Sequence, residues 1–166
     1  MRDFFDQIAA AVDARLYYVS LMCALAIPDV CGGMEAEDGQ ATKARYIDWF
    51  DRHVSPGNAG VLSGEDCWFL RCAMLHQGSL RHPRGTYERV VFLEPGTAPG
   101  VILHNNVIMD ALNIDVSIFC REVIEAGRAW LTETEESDTY RRNFDRFLKR
   151  HPEGLPPYIA GVPVIG

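Results

Sequence analysis

The sequence predicts a mainly α fold, a bundle of four to five helices with one inserted β-hairpin at about 86–109. Three observations carry this. Apolar residues recur every three or four positions along most of the chain, the spacing of amphipathic helices. A capping signal, Ser63 followed by Asp66, opens one of those helices, and Gly78 sits where a left-handed terminator belongs. In one stretch only, 86–109, the composition turns β-branched and aromatic.

The first helix is expected over 3–27. Phe5, Ile8, Val12, Leu16, Val19, Cys23 and Ala26 make one stripe, and Pro28 should end it. About 25 residues at a 1.5 Å rise span roughly 37 Å, the length of a long bundle helix. Residues 28–40 then read as a turn-rich connection with paired glycines and clustered acids. A second helix, 41–54, carries Tyr46, Trp49, Phe50 and His53 on its apolar face, and "SPGNAG" breaks the chain after it. The capped third helix runs for about 14 residues and holds "EDCWFLRCAMLHQG".

"TYERVVFLE" and "GVILHNNVIM", with "PGTAPG" between them, predict the hairpin, packed on the helices because a lone hairpin is marginal in water. Asp115 should cap a fourth helix, 116–133, with Phe119, Val123, Ala126 and Trp130 facing inward. A shorter helix at about 138–150 should turn Tyr140, Phe144, Phe147 and Leu148 inward. The Pro- and Gly-rich tail, 151–166, reads as irregular, and the whole of 1–166 as a single helical domain.

The net charge of −7 counts against a protein that coats long nucleic acid, since phosphate neutralisation supplies most of that affinity; a local basic pocket stays open. Arginine outnumbers lysine fourteen to two, which suits bidentate phosphate or carboxylate contacts and also follows from high-GC coding. Five cysteines without a C-x-x-C pair read as reduced, mostly buried thiols of a cytoplasmic protein. The opening "MRDFFDQIAAAVDAR" lacks a secretory pattern, and the apolar run 16–27 is too short to cross a bilayer, so no membrane is expected.

The chemistry centres on Arg71 and His76. Five residues along an ideal helix leave two side chains about 140° apart. His76 lies in the last turn, however, where Gly78 can loosen the geometry and let both enter one cleft. A guanidinium beside a histidine that titrates near neutrality suits one phosphate. Arg81, His82 and Arg84 in "RHPR" add positive charge that would steer it, or form a solvated loop.

The arrangement Arg71-Cys72-Ala73-Met74-Leu75-His76 resembles the R-x4-H motif of the HEPN superfamily, small helical domains found in many prokaryotic toxins, antiphage systems and nucleotidyltransferase partners. The resemblance covers roughly 3–133 and points to a bacterial HEPN-like family apart from the well-known toxins, with the hairpin as an insertion. It implies a homodimer, RNA or a nucleotide as ligand, and an antitoxin or nucleotidyltransferase as a further partner. Arg71 and His76 would be catalytic in a metal-independent endoribonuclease. In a non-catalytic module, Arg71, His76, Arg81 and Arg84 would hold phosphate, or Arg71 would be tied to Asp66 or Glu65. Cys72 departs from the family, whose catalytic members commonly carry a polar residue after the arginine, and this favours the non-catalytic module. A parallel sheet, or helix, through 86–109 would defeat both the hairpin and the HEPN assignment.

Other groups are read more plainly. Arg146 and His151 repeat the spacing on a charged, solvated face. Cys67, Cys72 and His76 lack a fourth zinc ligand, so neither metal nor cofactor is expected. His104 reads as the exposed face of the hairpin, and Glu35, Glu37 and Asp38 as a solvated acidic loop. Trp68 and Phe69 point in different directions on the motif helix, which suggests a second copy to cover one of them.

Overall fold

The computed structural model describes residues 1–57, 60–81, 85–96, 100 and 102–166. Its fold is mainly helical. The predicted first helix is two helices, α1 (Arg2–Asp13) and α2 (Tyr17–Glu35). Arg15 takes a left-handed φ of 58°, and the Leu16 amide closes back on the Ala11 carbonyl, which turns the chain without glycine or proline. Pro28 does not end α2 but lies inside it, buried. Proline lacks the N–H that would reach the Ala24 carbonyl one turn earlier, yet α2 continues through it, and in the same turn the buried Tyr46 hydroxyl donates to the Leu25 carbonyl at 2.9 Å. The expected connection over 28–40 is therefore helix as far as Glu35.

α2 packs against α1, α3 (Lys43–His53), α4 (Gly64–Gln77), α5 (Val116–Thr134) and α6 (Asp138–Phe144). Among the described residues it alone is long and apolar enough, by composition, to cross a membrane. Here 56% of that stretch is buried, packed against five other helices. The main core forms around it from Phe5, Leu25, Ile27, Trp49, Phe119 and Trp130.

The capping signals are realised. Ser63 and Asp66 complete the capping box of α4, Gly78 ends it at φ 61°, and the Asp115 carboxylate accepts from the Ser117 and Ile118 amides at the start of α5. Trp68 and Phe69 are both covered within the chain. Trp68 meets Tyr46 edge-on at 5.3 Å, while Phe69 is buried beneath Lys43 and beside the segment leading to Val90. Neither residue needs a second copy to cover it.

The hairpin at 86–109 is not what forms. β1 (Arg89–Leu93) pairs in parallel with β3 (Ala111–Asp115), and β2 (Asn106–Ile108) pairs antiparallel with β3, giving the order β1-β3-β2. A hairpin does exist, but it joins β2 to β3 through Met109 and Asp110, both at positive φ, the backbone of a two-residue primed turn. β3 is the central strand and is buried over Leu112–Asp115; Phe92 on β1 packs on Phe119 of α5. A mixed three-stranded sheet thus stands where one inserted hairpin was expected.

α6 is shorter than the expected 138–150, and Leu148 is exposed rather than inward. The tail carries strands: β4 (Arg150–His151) pairs with β7 (Val164–Ile165), and β5 (Gly154–Leu155) with β6 (Ile159–Ala160).

Candidate functional site

The site lies where the second half of α2 meets the second half of α4. Arg71 is one turn after Trp68 and one turn before Leu75. Its side chain is 22% exposed, beside Asp29 at 13%. Asp29 Oδ2 accepts from Arg71 Nε at 2.7 Å. The sequence proposed Asp66 or Glu65 as partner, and neither fills the role. Asp66 accepts from the Ser63 hydroxyl at 2.6 Å and the Thr86 amide at 2.9 Å, and Glu65 pairs with Lys43.

The Nη end of the guanidinium turns the other way, toward the helix terminus. Nη1 stands 3.4 Å from His76 Nε2 and 4.0 Å from Cys72 Sγ. The two motif residues do meet, as their position near Gly78 predicted. Trp68 flanks the guanidinium with its ring, 5.1 Å from Cζ to the centroid. Arg71 is thus fixed on three sides: by a carboxylate, an indole and an imidazole.

The electrostatics are close to balanced. Burial pushes the Asp29 carboxyl above its ordinary value, against the pull of Arg71. Burial likewise works against the Arg71 charge, and Asp29 more than restores it, so the Arg71 pKa is raised. The 2.7 Å contact is that of an ionised pair. Burial holds the Cys67 thiol well above its ordinary value, and Cys120 is pushed up to about 12, so neither is a nucleophile at neutral pH.

The remaining sequence-stated residues fall elsewhere. Arg81 is exposed beyond Gly78, its amide bonded to Ser79, with no contact to Arg71 or His76 among the described residues. Arg84 and His82 lie outside the described residues. Arg146 donates to Asn143, while His151 sits on β4 beside the Gly166 carbonyl, so this second pair does not meet. His104 is not on an exposed face: its side chain is 13% exposed and lies 3.6 Å from Glu122 of α5. Among the described residues no three His, Cys, Asp or Glu side chains gather as a metal site.

Asp29 is the residue the sequence reading missed. It is the only charged residue from Leu16 to Met34, a signal masked by reading Pro28 as the end of the helix. A lone carboxylate in an apolar helix needs a cation, and Arg71 is that cation.

No protein-family model matches the chain, and no similar curated protein or solved structure was found.

Proposed function

We propose that this chain is a HEPN-like module that binds the phosphate of a nucleotide or of single-stranded RNA at the Arg71–His76 edge, without cleaving it. One observation carries the reading. Asp29 takes the Nε side of the guanidinium and leaves its Nη end aimed at an exposed histidine, so the donors are pre-set for an anion. The same pairing argues against catalysis. With Asp29 paired to it, the Arg71 charge is already offset, which leaves a weak field for a phosphorane-like transition state. Cys72 adds only a long sulfur contact.

The surroundings support a module that associates. Tyr18, Met22 and Asp29 share one face of α2 by helical period, and Arg71 and Leu75 share one face of α4. Tyr18, Met22 and Leu75 are exposed apolar side chains on the two helices that carry the site. A homodimer formed over that surface would bring two sites together.

The second reading is a metal-independent ribonuclease. The observation that favours it is the 3.4 Å approach of His76 to Arg71, a proton-transfer group beside a charge-stabilising one.

The test is a titration of labelled protein with a short single-stranded RNA, following the His76 ring signals, alongside an RNA cleavage assay. Binding that weakens about tenfold or more in Arg71→Lys, with intact RNA, supports the module. Cleavage that Arg71→Ala and His76→Ala both abolish selects the ribonuclease. A folded protein that neither binds nor cleaves overturns both.

A further inference from the structure

A second face of the molecule has the make-up of a small-ligand site. The N-terminal turn of α1 and the chain from Phe144 to Arg150 enclose a groove of about 550 Å³, closed at one end by Ile165 of β7. Its floor is aromatic. Phe147 meets Phe4 edge-on at 5.9 Å and stacks with Phe144 at 5.8 Å, the two planes 19° apart. All three rings are half-buried, so each keeps some exposed carbon.

Its rim is cationic. Arg2, Lys149 and Arg150 line it, against one carboxylate, Asp3. Arg2 is tied by two bonds to Glu135 at 2.6 and 2.7 Å. Lys149 lies 4.0 Å from Asp145 and holds its ammonium 5.0 Å over the Phe144 ring, above the aromatic floor. Arg150 pairs with no carboxylate among the described residues. Its backbone is fixed by the β4–β7 ladder, and both backbone groups of Lys149 bond to Gly166. Lys149 and Arg150 therefore project from a held stretch of backbone. In a chain of net charge −7, two of the rim's three cations sit beside carboxylates, which leaves Arg150 as the charge open to an anion.

We propose that this groove binds a small molecule made of a planar ring and one anionic group, the ring against Phe144 and Phe147 and the anion between Lys149 and Arg150. The volume lies within the range of small-ligand sites, and an apolar wall with a few placed charges is their usual chemistry. A carboxylate and a phosphate satisfy the rim equally, and the ring distinguishes either from a free inorganic ion. This site is independent of Asp29, Arg71 and His76.

The test is calorimetric titration of the whole chain with phenylacetate and with adenosine 5′-monophosphate. Phenylacetamide, adenosine and inorganic phosphate serve as comparisons. The expected result is binding of at least one ring-bearing anion, about tenfold or more tighter than its neutral analogue and than phosphate alone. Whichever anion binds more tightly identifies the anionic group. Arg150→Gln and Lys149→Gln, both at the surface, should weaken the anion several-fold and leave the neutral analogue unchanged. Phe147→Leu, which keeps bulk and removes the ring, should weaken both. Equal binding of neutral and anionic forms, or no binding at about 10 mM, overturns the proposal. So does affinity lost in Arg71→Ala and retained in Arg150→Gln, which would assign the ligand to the other site.

Discussion

Asp29 and Arg71 stand 42 residues apart in the chain and 2.7 Å apart in the fold. Each accounts for the other. A carboxylate in the midst of an apolar helix is costly unless a cation meets it, and a guanidinium beneath a tryptophan is costly unless a carboxylate meets it. The pair ties α2 to α4 and also sets the angle at which the guanidinium reaches His76.

Removing one partner should cost more than removing both. Both groups keep some exposure, so Arg71→Ala should destabilise the fold by roughly 1–3 kcal/mol, below the range for fully buried pairs. The loss has a defined pH dependence. Burial already raises the Asp29 carboxyl, and without Arg71 it rises further. A carboxyl raised in the folded state contributes stability at low pH that is lost as pH rises through its folded value. The Arg71→Ala deficit should therefore be larger at pH 8 than at pH 4, and Asp29→Asn added to it should recover part of the loss. Urea denaturation of the three variants at the two pH values measures this; a pH-independent deficit would show that Asp29 is not the group left uncompensated.

Asp66 should behave in the opposite sense. Burial works to raise its carboxyl, but bonds from Ser63 and Thr86 more than offset that, and its pKa is lowered. The stability it contributes is present above the ordinary carboxyl value and is lost as pH falls through the depressed one. Asp66→Ala should cost about 1–3 kcal/mol at neutral pH, through the capping box and the Thr86 amide. The difference from wild type should shrink as pH falls through that depressed value. Chemical denaturation across pH 2.5–7 checks it.

The parts of the fold that are local chemistry were legible. Ser63, Asp66, Gly78 and Asp115 declare their helix ends because caps act over three residues. The break at Arg15 was hidden because its left-handed turn uses no glycine, and the apolar period runs through it unbroken. Pro28 was misread because the packing that holds α2 helical through it, against α3, α4, α5 and α6, is remote in sequence. The sheet was misread because strand composition does not say which strand pairs with which. Its turn, Met109-Asp110, lacks the glycine that usually marks a two-residue hairpin loop. At the site, the spacing of Arg71 and His76 found the pair, while Asp29 could be found only by extending α2 beyond the proline.

Gly127 tests the packing of α1 on α5. Alanine is the better helix former by about 1 kcal/mol, and on propensity alone Gly127→Ala should stabilise. A Cβ at this position would stand 2.7 and 2.9 Å from ring carbons of Phe5, which is fully buried. The ring cannot swing to solvent, so overpacking should win and the variant should lose a net 1–3 kcal/mol or about that. Thermal unfolding reads the sign directly, and an unchanged or higher midpoint would mean that Phe5 shifts at little cost.

His104 and Glu122 make the last prediction, since they lie 3.6 Å apart between the segment before β2 and helix α5. That distance is beyond a good hydrogen bond, and Glu122 Oε2 and both imidazole nitrogens are buried without a hydrogen-bond partner. Attraction across the gap thus depends on His104 being protonated. Burial raises the Glu122 carboxyl, with Glu125 adding to it and His104 opposing it. By the same sign rule, the stability linked to Glu122 is highest when it is protonated and is lost as pH rises through its raised value. Above that value the carboxylate is charged, with Oε2 buried and without a hydrogen-bond partner. Glu122→Gln should then be neutral or stabilising by up to about 1 kcal/mol at pH 8. At pH 4, below the raised value, the wild-type carboxyl is protonated and the same substitution should lose that advantage. Denaturant midpoints of wild type and Glu122→Gln at pH 4 and 8 decide it, and an effect of equal size at both would rule out a charge cost at Glu122.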